Sequence, residues 1–112
     1  MKLVIEYSED GEAIADLKVS QWMECVLDRI KKSPDSVHTT TLHVGTAIMV
    51  DAVRVAIKRE QLNHEDVTFQ FKGQILNVDK NGKIDNWPKG FCDTTLIYLE
   101  ELFEILHIDK QI

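Results

Sequence analysis

VHTTTLHVGTAIMVDAVRVAIKREQLNHEDVTFQF, residues 37–71, decides the fold. Its first part, Val37 to Val44, is dense in β-branched residues and reads as a strand. Gly45-Thr46 punctuates it. Ile48, Met49, Ala52, Val53, Ala56 and Ile57 then recur at helical spacing. Lys58-Arg59 ends that run, where cations meet the negative end of a helix dipole. After the polar QLNHED loop, Val67, Phe69 and Phe71 alternate with Thr68, Gln70 and Lys72 as a second strand. Strand, helix and strand with short connections read as a β-α-β crossover, which joins parallel strands.

Working outward, Leu3, Ile5 and Tyr7 share one face of an N-terminal strand. Asp10-Gly11 is a two-residue turn signal, so a second strand, Ala13 to Val19, is expected to return antiparallel. Ser20 is a good N-cap for a helix whose stripe is Trp22, Met23, Val26, Leu27 and Ile30, ending near Ser33-Pro34. Beyond the crossover, Gly73 marks a bulge or bend. Asn81-Gly82 reads as a type I′ hairpin turn between ILNVD and KID. A last helix, capped by Asp93 or Thr94, would bury Leu96, Leu99, Leu102, Phe103 and Leu106. The expected fold is α/β (α+β), one domain over residues 1–112. It has a small mixed sheet with an N-terminal β-hairpin, one β-α-β crossover, a second hairpin and a C-terminal helix.

A chain of 112 residues can bury enough surface to fold without metals or disulfides. The net charge of −6 argues against direct nucleic-acid binding by phosphate neutralisation, which needs a basic stripe. The opening MKLVIEYSEDGEA turns acidic too soon for a signal peptide, and no apolar run is long enough to cross a bilayer. The cytoplasm is the expected location, with Cys25 and Cys92 expected as buried thiols and not as a bridge.

No glycine-rich phosphate loop exists. Asn77, Asp79, Asn81, Gly82 and Asp85 imitate a calcium loop, but Pro88 stands where its bidentate glutamate belongs. His38 and His43 are five apart on one strand, a poor spacing for a shared metal, while His64 and His107 are scattered. Cys92 precedes a helix start that favours a thiolate, but the Asp93 carboxylate opposes this. The pairs Glu65-Asp66 and Glu100-Glu101 point in different directions as sequence neighbours. No catalytic apparatus, metal site or cofactor is expected.

The segment GKIDNWPKGFCD, residues 82–93, resembles the W-P-x-G-F-F-D tail near the C-terminus of a family of bacterial AAA-type P-loop ATPases. These have an ABC or SMC-like head, and several are encoded in anti-phage defence islands. Upstream, Arg54, Ala56, Ile57, Leu62, Glu65, Asp66 and Val67 match a pattern like R-x-A-I-x-x-G-x-L-x-x-E-D-V in order, while Glu60 stands at its glycine. The resemblance covers roughly residues 40 to 105. In the family a threonine-histidine-serine motif lies near the γ-phosphate; here the junction reads His43-Val44-Gly45-Thr46 and the histidine is displaced. The second phenylalanine of the tail is Cys92, and residues 1–112 contain no phosphate loop, acidic metal-binding strand or signature motif of such a head.

The resemblance implies a free-standing derivative: a non-catalytic protein-interaction or regulatory module whose partner is a P-loop ATPase or a nuclease effector. Trp87, Lys89 and Phe91 are its expected contact residues. The competing reading of Trp87 and Phe91 is that they seal this domain's own core, as large aromatics usually do. A second functional reading is an accessory subunit completing an ATPase site in trans, with His43 or Thr46 near the nucleotide. A third is an acidic inhibitor mimicking nucleic acid.

Overall fold

The structure, a computed structural model, describes residues 2–32, 39–88, 91–92 and 102. In the first strand, β1 (Lys2–Glu12), Leu3 and Ile5 are buried while Val4 and Glu6 are half-buried, the period-2 pattern of a strand with one core face. A 3-10 turn at Asp16–Lys18 leads into α1 (Val19–Lys32). The strand β2 (Thr39–Val44), the helix α2 (Ala47–Lys58) and the strand β3 (Val67–Phe71) follow, and β4 (Gln74–Asn77) completes the sheet.

The sheet order is β2-β1-β3-β4, with β1 parallel to both β2 and β3, and β4 antiparallel to β3. The fold class is α+β, a mixed four-stranded sheet with two helices. The crossover read from residues 37–71 is present, but its strands are not neighbours: β1 lies between them. Nor does Asp10-Gly11 open a hairpin. Tyr7 and Glu12 both pair with Val44, so residues 8–11 are surplus to the register and bulge out of one continuous strand. The turn signal is spent on that excursion, and residues 13–15 connect directly to the 3-10 turn.

Leu3, Ile5 and Tyr7 face the same side as Leu42, Val44, Val67, Phe69, Phe71 and Leu76. Both helices cover that side and pack on each other. The chain crosses from β1 to β2 in one direction and returns past β1 to β3 in the other. With both helices on one face, the two crossovers have opposite hand, so one runs against the usual right-handed preference. The opposite face carries Glu6, Thr41, His43 and Gln70, with Thr41 and His43 exposed.

On α1, Met23 and Val26 are buried and Trp22, Leu27 and Ile30 pack partly against the core, as the stripe predicts. On α2 the stripe is rotated: Val50 is fully buried, whereas Ile48 is 39% exposed. The end of α2 is a Schellman motif, with Glu60 N–H donating to Ile57 O (3.0 Å) and Gln61 N–H to Ala56 O (2.9 Å). Its left-handed residue is Glu60, at φ 62°.

The two turns after β3 exchange the expected types. Lys72 and Gly73 both have positive φ and join Phe71 to Gln74, so the type I′ turn is here, not at Asn81-Gly82. At the second turn only Gly82 has positive φ; Gly82 N–H donates to Asp79 O at 3.0 Å and Val78 bridges Ile84. The Asp79 carboxylate accepts the N–H groups of Asn81 (2.8 Å) and Lys83 (3.0 Å), an Asx-type cap that stabilises this turn. The Lys83 hydrogen bond, then that of Asn81, holds the Asp79 carboxyl below its ordinary value against some desolvation. The expected last helix lies outside the described residues apart from Leu102, which is 55% exposed and not buried.

Candidate functional site

Open α/β sheets bind ligands outside the carboxyl ends of their parallel strands, where the chain switches from one side of a strand to the other. Here that place is the end of β1, flanked by β2 and β3. An aromatic cluster occupies it. Phe91 is fully buried; its ring centre lies 5.5 Å from Tyr7 in a T-shaped contact, 5.3 Å from Phe71 and 4.9 Å from Trp87. Tyr7 and Phe71 also touch, at 5.8 Å. Tyr7 is the last β1 residue before the register breaks, and Phe71 is the last residue of β3. Edge-to-face aromatic geometry of this kind adds about 0.5–1.5 kcal/mol per pair beyond area burial.

Trp87 is held from its other side by α2. The Arg54 guanidinium lies over the indole at 4.9 Å, while Arg54 Nε–H donates to Gly82 O at 2.7 Å and Nη1 pairs with Asp51 at 3.1 Å. Gly82 makes the approach possible. A Cβ there would stand 2.5 Å from Arg54 O, and its φ of 77° already favours glycine. Trp87 is half-buried, and its Nε1 is enclosed with no hydrogen-bond acceptor among the described residues. Phe91 N–H donates to Pro88 O at 3.2 Å.

Beside this cluster, β1 and β2 are clamped together. Gly45 N–H donates to Glu12 O at 2.8 Å, and a Cβ on Gly11 would collide with the Val44 carbonyl. His43 lies on the opposite face, 61% exposed at its side chain, with Nδ1 3.7 Å from Glu6 Oε2. Thr46 occupies the N-cap position of α2 without capping it, and its buried Oγ1 has no partner among the described residues.

The residues proposed from sequence therefore divide. Phe91 is interior, and Trp87 is half-covered against it, so the tryptophan segment serves the core first. Lys89 lies outside the described residues. His43 and Thr46 sit near the end of β2, one on the open face and one at a helix start. Sequence reading missed the roles of Tyr7, Phe71 and Arg54 in the cluster; each was placed on its element, but nothing local tied it to residue 87 or 91. Cys25 is exposed, correcting the expectation of burial; Cys92 is half-buried and neither thiol is bridged. A histidine-to-carbonyl contact, His64 Nδ1 to Val78 O at 3.2 Å, fixes His64 against the last turn. Among the described residues there is no group of three or more histidine, cysteine or acidic residues able to hold a metal, and no helix is long and apolar enough to cross a membrane.

Comparison with known proteins gives one family. Residues 62–102 match a family described as "Protein of unknown function (DUF3696)". The match starts in the loop after α2 and takes in β3, β4, the second turn and the tryptophan segment. No curated protein and no solved structure matches the chain.

Proposed function

We propose that the chain is a non-catalytic protein-interaction or regulatory module, related to the C-terminal part of defence-type P-loop ATPases. One observation carries this reading: the carboxyl ends of the parallel strands, where such a sheet holds its ligand, are filled by Tyr7, Phe71, Phe91 and Trp87. Those rings occupy the helix-covered side at the ends of β1 and β3, where the chain's own core takes the place of a ligand. The family match over residues 62–102 covers the tail on which the ATPase resemblance rests and is consistent with it. The test is to isolate the tagged chain from its own host. Recovery of a stoichiometric P-loop ATPase or nuclease is the expected result; recovery of the chain alone would overturn the reading.

An accessory role in trans is the second reading. It is favoured by His43, exposed near the end of β2 beside Glu6, and by the Thr46 hydroxyl at the next helix start, which has no partner among the described residues. On this reading, ATP hydrolysis by a P-loop partner depends on His43. Unchanged turnover with His43→Ala would remove it.

A further inference from the structure

The two helices leave a groove between them on their outward side, about 540 Å³ in volume. Met23 and Leu27 line it from α1, and Ala52 and Ala56, one turn apart, line it from α2. The alanines keep the helix backbone close to the groove, so there is room for inserted side chains. Ile48 and Val55 stand along it, 39% and 42% exposed, and Leu17, 98% exposed, adjoins Asp16 at one end. Three of the five exposed large hydrophobics among the described residues thus lie along this groove or next to it. Single exposed apolar residues need no explanation, but a contiguous group beside a groove does.

The charges lining the groove are unbalanced. Asp16, Glu24 and Asp51 contribute carboxylates, and Arg59 is the one cation among its lining residues. Asp51 shares its charge with Arg54; Asp16 and Glu24 have no ion pair among the described residues. Charge opposes two occupants. A second copy related by a two-fold axis through the groove would bring the same carboxylates to the same place, and nucleic acid would bring phosphates. A trough between two parallel-packed ridges of side chains is shaped for a third helix.

Resting on the reading of the chain as an interaction module, we propose that the α1/α2 groove docks an amphipathic helix of a protein partner whose apolar stripe is flanked by lysine and arginine. The stripe enters between Met23 and Ala52 and covers Ile48 and Val55. The flanking cations meet Asp16 and Glu24.

The test uses the full chain and a synthetic amphipathic helix of leucine and lysine, with a leucine-glutamate twin as control. Binding is measured by calorimetry and located by methyl resonances of Met23, Ile48 and Val55. The leucine-lysine peptide is expected to shift those methyls and to bind at least about tenfold more tightly than its twin. Val55→Arg, which blocks the groove from an exposed position, and the pair Asp16→Lys with Glu24→Lys should each weaken it by about tenfold or more. Equal binding of the two peptides, unchanged affinity in the variants, or shifts confined to Ile75 on the opposite face would overturn the proposal. A host partner still retained by Val55→Arg would also overturn it while leaving the module reading intact. Peptide binding at the groove with no host partner recovered would do the reverse.

Discussion

The two flanks of α2 solve opposite problems with the same helix. On one flank Arg54 reaches Gly82, lies over Trp87 and closes the aromatic cluster; on the other, Ile48, Ala52 and Val55 face a groove that no other described residue fills. The closed flank is built from long-range contacts between α2 and a segment about thirty residues later, with the Arg54-to-Gly82 bond spanning 28 positions. The open flank is local, made by two consecutive helices. A protein that needs a sealed crevice and a free docking surface can have both when the clustered aromatics, Tyr7, Phe71, Trp87 and Phe91, lie on one flank.

This contrast can be broken most severely at Phe91. Phe91→Ala removes a fully buried ring with three aromatic neighbours, and a loss of about 3–5 kcal/mol in unfolding free energy is expected in urea titration. Gly82→Ala adds a Cβ against the Arg54 backbone at a positive φ, and about 2 kcal/mol should be lost. Arg54→Ala leaves the indole face uncovered and Gly82 O without its donor, a cost of about 1–2 kcal/mol. Arg54→Lys should recover little of this, since lysine cannot donate from Nε while stacking a planar group. Val55→Ser on the open flank should change stability by no more than about 0.5 kcal/mol. If Val55→Ser proved as costly as Arg54→Ala, the open flank would be core and the comparison would fail.

Much of this was legible in residues 37–71, because β-branched, helical and alternating patterns follow one another there without ambiguity. The position of β1 between β2 and β3 was not, since strand order is set by long-range pairing and leaves no local mark. The N-terminal hairpin was misread for a different reason: Asp10-Gly11 signals a departure from regular strand, and the same chemistry serves a bulge as well as a turn. Asn81-Gly82 is the better-known type I′ dipeptide, yet Lys72-Gly73 adopts that turn, with a lysine at positive φ. Glu60 is the most instructive case. The ATPase pattern has glycine there, and Glu60 occupies the left-handed position of the helix stop. Glu60→Gly should therefore raise stability, by about 0.5–1 kcal/mol, seen as a higher urea midpoint. For Phe91 the sequence offers two readings, a contact residue or a core aromatic, and the structure buries the ring; its partners Tyr7 and Phe71 leave no local mark.

The central claim is that the carboxyl end of the sheet is closed by the chain's own aromatics. The most direct test is a titration of the isotopically labelled protein with ATP and Mg2+, following the Trp87 indole, the Tyr7 and Phe71 amides and those of Val44 to Thr46. The account predicts that these signals stay in place at millimolar nucleotide. Saturable shifts confined to those residues would show an open nucleotide site and contradict it.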